Sequence, residues 1–207
     1  MNILKHSWVR AWKGIGARGE GEEVRSALVA AYPEPQRRYH TLQHLTECLE
    51  WFELVREIPK HASEVELALW FHDAIYDVKG SDNEMRSADW ATVELVNAGA
   101  APEVVGRVSA LILATRHTAV PTDLDEQVLV DIDLAILGAC EPRFAEYGQQ
   151  IRNEYAFVPD GLFKQRRRAL LLSFLDRPRI YSTSHFHELL EERARENLRR
   201  AVGKSAG

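Results

Sequence analysis

Residues 65–76 read VELALWFHDAIY, and this stretch decides the class of fold. Ser63 precedes it, with Glu66 three positions on, the capping-box pattern that favours a helix start. The stretch is apolar on nearly every side of a helix, which is typical of a helix buried in the core. An ionised Asp73 beside His72 is costly there unless it is paired or bound to a metal. The sequence therefore predicts a buried helix that carries a functional His-Asp pair.

Helical periodicity extends over most of the remaining chain. Apolar residues recur at steps of three and four, and Pro, Gly, Asp or Ser residues separate the periodic segments. No stretch of any length shows the strict alternation of a half-buried strand, and no Asn-Gly hairpin signal occurs. We therefore predict an all-α fold, a single multi-helix bundle of about eight to ten helices that forms one domain over 1–207. Besides the helix after Ser63, the predicted helices are 20–32, 39–56, Ser81 to about Asn97, one opened by Pro102, Asp123 to Gly138, and about 142–156, 160–176 and 184–201.

Composition excludes several classes of protein. The 207 residues carry a net charge of −5, with 45% hydrophobic and 28% charged residues, which is close to the average of soluble globular chains. No apolar run approaches the ~18 residues of a membrane-spanning helix, and residues 1–14 lack the apolar core of a secretory signal. Two cysteines, Cys48 and Cys140, exclude a disulfide framework. We therefore expect a cytoplasmic protein without a membrane partner, and the acidic balance argues against nucleic-acid binding.

Two more segments place polar side chains in apolar helical surroundings. Residues 39–44 read YHTLQH, and the four-residue spacing puts His40 and His44 on one face of a helix. In VLVDIDLAIL, Asp131 and Asp133 interrupt an apolar run. Each such residue alone has a structural interpretation, such as a hydrogen-bonded core histidine. Two His and two Asp from three buried helices favour instead a divalent metal site that is open enough to keep water, as in a hydrolytic centre.

The order of these residues resembles the HD superfamily of metal-dependent phosphohydrolases. His44, His72-Asp73 and Asp133 match its H…HD…D pattern. Between Arg38 and Leu198, six strings are similar to a bacterial family of predicted HD phosphohydrolases of about this length: RYHTLQHLTECL, WFHDAIYD, SDNEMRSA, ILATRHT, DIDLAILG and RPRIYSTSHFHELLEERARENL. The resemblance implies an all-α HD domain, a metal held by His44, His72, Asp73 and Asp133, and hydrolysis of a phosphate ester by metal-bound hydroxide. It implies a small phosphorylated substrate, a nucleotide or a related metabolite, without identifying it.

Three further residues are candidates for catalysis. The YHTLQH string is also similar, more distantly, to cyclic-nucleotide phosphodiesterases, whose second histidine binds metal while the first protonates the leaving group; this implies that His40 is a general acid. His117 is either a contact to the substrate phosphate or to a second ion, or a histidine that interacts with a helix C-terminus. Glu84 is either catalytic or the partner of Ser81 in a capping box.

The choice between the two aspartates and the identity of the ion stay open. Asp131 and Asp133 face opposite ways, because two helical positions correspond to a rotation of about 200°. Asp133 has the more apolar neighbours and matches the last ligand of the superfamily, so we expect it to bind the ion and Asp131 to support it or lie on the surface. The superfamily uses Mn²⁺, Fe²⁺, Co²⁺, Ni²⁺, Zn²⁺ or Mg²⁺, although two imidazoles disfavour Mg²⁺ alone. The alternative function is a noncatalytic HD-like module that senses a nucleotide or a metal.

Overall fold

The computed structural model describes residues 3–204, and over these residues the chain is all-helical. This confirms the predicted all-α fold of eight to ten helices. In the described part of the chain, none of the helices combines the length and apolarity needed to cross a membrane. The ten α-helices and one 3-10 segment are α1 (Ile3–Gly14), α2 (Glu22–Ala31), α3 (Leu42–Val55), α4 (Ala62–Phe71), α5 (Asn83–Asn97), α6 (Pro102–Ala114), α7 (Leu124–Asp133), the 3-10 segment Leu134–Gly138, α8 (Glu141–Glu154), α9 (Asp160–Leu175) and α10 (Ser184–Lys204).

The chain divides into two compact units, Met1–Ile132 and Asp133–Gly207. In the first unit, α4 packs against α1, α3, α5 and α6. Every residue of α4 from Glu64 to Phe71 is buried, which agrees with the buried helix that the sequence predicts. The single domain over 1–207 stays a prediction.

Helix α1 is not among the predicted helices, and tryptophan packing explains why it forms. The ring centroids of Trp8 and Trp12 lie 5.0 Å apart, and Trp8 meets Trp70 of α4 edge to face at 5.2 Å. The Trp70 indole N–H donates to the Ser7 hydroxyl at 2.9 Å, so this buried polar atom is also satisfied. Long-range aromatic contacts therefore fix the first helix on α4.

Two of the predicted capping boxes are wrong. Helix α4 begins at Ala62, which leaves Ser63 and Glu66 inside it. The two backbone N–H groups just ahead of α4 donate instead to the Asp125 carboxylate of α7, at 2.6 and 3.1 Å. A distant carboxylate thus takes the role that sequence spacing gives to Ser63.

The second capping box, at Ser81 and Glu84, also fails. Helix α5 begins at Asn83, so the residue that flanks it is Asp82, whose side chain makes no cap hydrogen bond. In contrast, the helix predicted to start at Asp123 has a local cap, because the Asp123 Oδ1 accepts the backbone N–H of Asp125 at 2.9 Å.

The second unit is built from the 3-10 segment, α8, α9 and α10. Helix α10 packs against both α9 and the 3-10 segment. A Cβ atom on Gly138 would lie 2.7 Å from the Leu190 Cβ, so this close approach requires glycine. The Asn197 amide donates to the carbonyls of Leu137 and Ala139, both at 2.9 Å. The carbonyls at the end of the 3-10 segment are thereby satisfied.

Candidate metal centre

Three helices supply a buried group of potential metal ligands. Helix α3 contributes His44 and Cys48, one turn apart; His72 follows the end of α4; and Asp133 is the last residue of α7. Each offers one ligand atom, and these four atoms all lie within 4.8 Å of one another. The group could therefore hold a metal ion.

Three side-chain atoms, one each from His44, His72 and Asp73, have the spacing of ligands around one ion. The His44 and His72 Nε2 atoms are 3.1 Å apart. Asp73 Oδ2 lies 3.0 Å from the His72 nitrogen and 3.5 Å from the His44 nitrogen. Two ligands ~2.1 Å from one ion are about 3.0 Å apart in an octahedral site and about 3.4 Å apart in a tetrahedral site. Asp73 thus stands beside the four-residue group as a further donor.

The protonation of His72 follows from its second nitrogen. Its Nδ1 lies 2.8 Å from the Leu69 carbonyl oxygen, which can only accept, so Nδ1 carries the proton. Nε2 then presents a lone pair to His44 and Asp73. This is how metal-binding histidines are commonly oriented.

Asp73 is the part of the site that most needs a cation. Its Oδ2 is buried and receives no hydrogen bond of good geometry from any described residue. Burial alone would raise the pKa of Asp73, but the neighbouring imidazoles of His72, His40 and His44 hold that pKa well below its ordinary value. The side chain is therefore a carboxylate, the form that binds metal. Imidazole, carboxylate and thiol donors together fit a first-row divalent ion.

His40 lies beside this group, although the predicted reason is wrong. Helix α3 begins only at Leu42, because Thr41 adopts extended backbone and its hydroxyl accepts the Gln43 N–H at 3.3 Å. His40 therefore sits in the preceding turn and does not share a helical face with His44. Its ring nevertheless stacks on Tyr76, with centroids 4.1 Å apart, and lies 6.0 Å from the His44 ring.

The buried guanidinium of Arg37 ties together the two loops that carry these residues. It donates to the His40 carbonyl at 3.3 Å, the Asp73 carbonyl at 2.5 Å and the Ala74 carbonyl at 2.9 Å. Its Nε donates to Glu34 at 3.1 Å. Arg37 is 2% exposed, so its guanidinium is shielded from water. It fixes the position of the His72-Asp73 turn relative to His40.

The two aspartates of α7 differ in their surroundings. Asp133 is half-buried and belongs to the four-residue group. Asp131 is completely buried, so the surface position that the sequence allows for it is wrong. The assignment of Asp133 as the ligand stays a prediction.

The other two catalytic candidates are not members of the four-residue group. His117 follows α6 in the left-handed region, at φ 53°, a conformation that is uncommon outside glycine and is found at functional sites. Glu84 is half-buried in the first turn of α5. Catalytic roles for both residues stay predictions.

Comparison with known proteins adds no assignment: no family model, no curated protein and no solved structure matches this chain.

Two residues of the site are missing from the expected set. Cys48 follows His44 by four positions, the same spacing that singled out His40, so the sequence contains the signal for it. Arg37 has no such signal, because its role depends on carbonyl groups that are distant along the chain.

Proposed function

We propose that this protein hydrolyses phosphate esters with the help of a divalent metal ion held by His44, His72, Asp73 and Asp133. The observation that supports this most is the convergence of two imidazole nitrogens and one buried carboxylate oxygen, 3.0–3.5 Å apart. The resemblance to HD phosphohydrolases adds the class of reaction and a small phosphorylated substrate, a nucleotide or a related metabolite.

The protein side chains would have distinct tasks. An ion at this site supplies the Lewis acidity that activates water at neutral pH and offsets charge on a phosphoryl oxygen. The Leu69 carbonyl keeps the His72 lone pair directed at the site. His40, held against Tyr76, donates a proton to the departing alkoxide, a step commonly worth ~10²–10⁴-fold in rate. His117 and Glu84 are candidates for contacts to the substrate. We also propose a cytoplasmic location, because Cys48 and Cys140 form no disulfide.

Metal analysis followed by a phosphate-release screen tests the proposal. Protein purified without chelator should contain a divalent metal, and it should release phosphate from a nucleotide or open a phosphodiester. Chelation should abolish turnover and metal addition should restore it. A protein without affinity for Mn²⁺, Co²⁺ or Zn²⁺ would contradict the proposal. Nucleotide binding without hydrolysis would favour the noncatalytic module instead.

The general-acid role of His40 has its own signature. His40→Ala should keep near-normal metal content and lose turnover on an alkyl phosphate ester, whose leaving group needs a proton. It should lose little on a nitrophenyl ester, whose leaving group departs unprotonated. Loss of the metal in His40→Ala, with its retention in His44→Ala, would reverse the two roles.

The paired variants Asp133→Asn and Asp131→Asn test which aspartate binds. Asp133→Asn should weaken metal binding far more, because Asp133 belongs to the ligand group. Equal losses in a metal titration, or a larger loss for Asp131→Asn, would show that the wrong carboxylate has been assigned.

A further inference from the structure

Cys48 lies beside the candidate metal site, and its sulfur faces a potential ligand. It is 2% exposed, and it lies on α3 one turn after His44. Its sulfur is 3.7 Å from both ring nitrogens of His44. The equal distances single out neither nitrogen as the acceptor of a directed S–H hydrogen bond. The same sulfur is one of the four ligand atoms that lie within 4.8 Å of one another.

We propose that Cys48 is a thiolate ligand of the metal centre and that it makes the protein select a thiophilic ion, Zn²⁺ or Co²⁺, over Mn²⁺ and Mg²⁺. This inference rests on the metal site of the proposed function and extends it from the presence of an ion to the chemical class of that ion.

The spacing brings the sulfur close to the range for direct coordination. A thiolate at ~2.3 Å and an imidazole nitrogen at ~2.1 Å from one ion are about 3.1 Å apart in an octahedral site and about 3.6 Å apart in a tetrahedral site. The Cys48 sulfur lies 3.7 Å from the His44 Nε2 atom that also faces His72. Because the sulfur is equally far from both ring nitrogens, the Cys48 side chain has to rotate toward Nε2 for both residues to reach one ion, which is a movement of one side chain and not of α3.

The donor chemistry gives the selectivity. Soft thiolate ligands favour Zn²⁺ and other thiophilic ions, whereas sites for Mg²⁺ and Mn²⁺ are built from carboxylates, carbonyls and water. Replacing the thiolate by a hydroxyl should therefore weaken the binding of Zn²⁺ and Co²⁺ much more than the binding of Mn²⁺. If Cys48 only filled space, its substitution would change the affinity for all three ions alike.

The chain offers a test that leaves Cys48 intact. Its two cysteines are Cys48 and Cys140, and Cys140 is exposed. In the full-length Cys140→Ser protein the one remaining thiol is Cys48. On Co²⁺ titration, this variant should develop an intense near-ultraviolet thiolate-to-cobalt charge-transfer band together with the weaker visible bands of the bound ion. A Co²⁺ complex with visible bands alone would overturn the proposal.

Variants at Cys48 supply the second readout. Cys48→Ser and Cys48→Ala, with helical content checked by circular dichroism, should lose the near-ultraviolet band. Their Zn²⁺ affinity should fall by at least the ~10–100-fold that loss of a residue supporting a ligand costs, while Mn²⁺ affinity changes little. Equal losses for Zn²⁺ and Mn²⁺ would overturn the proposal.

The outcomes separate this inference from the proposed function. Phosphate release by a protein whose Co²⁺ form lacks the charge-transfer band removes Cys48 from the ligand set and leaves the hydrolase proposal standing. The band without phosphate release from any ester keeps Cys48 as a ligand and removes the hydrolase. A protein that takes up no Co²⁺ overturns both.

Discussion

Helix α4 carries buried ionisable groups at both ends, and the two ends neutralise them in different ways. Near its start, Glu64 accepts two hydrogen bonds from Arg107, both at 2.7 Å. Glu66, two residues on, is bonded by Arg10, with Nε to Oε2 at 2.9 Å. Each carboxylate is therefore paired with a guanidinium, which in the case of Arg10 also bonds Glu53, and this partner makes burial of a carboxylate tolerable.

The end of α4 has no such partner for Asp73. Its neighbours His72 and His44 face it with imidazole nitrogens, and its Oδ2 receives no well-formed hydrogen bond from the described residues. Two imidazole nitrogens and a carboxylate oxygen that face one another at 3.0–3.5 Å are a donor set that suits a divalent ion. The contrast along this one helix teaches that paired buried charge serves the fold, whereas converging imidazole and carboxylate groups mark a candidate metal site.

Substitution of Asp73 should have the largest effect on function. It should impair metal binding at the end of α4 and leave the fold unchanged. Asp73→Ala should lose more than the ~10–100-fold in metal affinity that a merely supporting residue costs, and it should lose all phosphate release. Its helical content should stay intact, because Asp73 lies beyond the end of α4 and is only partly buried. Metal titration, turnover and circular dichroism give the three measurements. Asp77→Ala, an exposed aspartate of the same segment, is the matched control and should behave as wild type.

Substitution of Arg37 should reduce both the stability of the fold and the affinity for metal, because its guanidinium donates to backbone carbonyls beside the proposed ligands. Arg37→Met leaves three carbonyls without their donor, and each buried unsatisfied group costs about 1–3 kcal/mol. We expect a large loss of unfolding free energy and a ~10–100-fold loss of metal affinity in the variant that still folds. Urea unfolding and metal titration measure the two effects. Its exposed neighbour provides the control: Arg38→Met should show neither. A stability loss with unchanged metal affinity would make Arg37 purely structural.

Substitution of Arg10, near the start of α4, should lower stability and leave metal binding unchanged. Arg10→Met removes the guanidinium that bonds Glu66 and leaves that buried carboxylate unpaired. Arg10 is 33% exposed. We therefore expect the substitution to lower the free energy of unfolding by about 2–3 kcal/mol, at or below the lower end of the range of about 3–5 kcal/mol for a fully buried pair. Chemical denaturation measures this loss, and metal titration should show none. If Arg10→Met also released the metal, the two ends of α4 would not be independent.

Most of the helices could be predicted from the sequence, because amphipathic periodicity and local helix-breaking residues determine where they form. The predicted segments at 160–176 and 184–201 match α9 and α10 within three residues. Local rules failed where a distant residue takes over a role. Glu66 has the spacing of a cap and instead bonds Arg10, while Asp125 holds the chain ahead of α4.

The site shows the same division. The order of His44, His72-Asp73 and Asp133 marks candidate ligands, but sequence spacing carries no information on the 3.0–3.5 Å distances among the donors. Cys48 was detectable by its four-residue step from His44, yet a cysteine is first taken as a marker of redox compartment. Its place among the potential ligands depends on the packing of α3, α4 and α7, which sequence spacing does not give.

Two paired carboxylates show that the kind of partner also sets the response to pH. Burial raises the pKa of Glu66 despite the hydrogen bonds from Arg10 and Ser7. Burial also acts on Glu191 of α10, but the backbone N–H groups of Ile180 and Tyr181 and the side chain of Arg195 lower its pKa overall. Folding therefore favours the charged form of Glu191 and disfavours the charged form of Glu66, each relative to the unfolded chain.

The smallest expected effect follows from Glu191. Its folded-state pKa lies below the ordinary value of about 4.3. Its stabilising contribution is therefore present above that value and lost as the pH falls through the folded pKa. Glu191→Gln keeps an oxygen for the two backbone N–H groups and loses the charge that faces Arg195 and His187 together with the hydrogen bond from Arg195, so it should cost about 1 kcal/mol at pH 7. Urea unfolding of both proteins should show this difference shrinking toward acid pH. Glu66→Gln should shift the pH dependence in the opposite direction, because a carboxyl with a raised pKa makes folding less favourable as the pH rises. A Glu191→Gln difference that is constant from pH 3 to pH 7 would show that shape and not charge accounts for the role of Glu191.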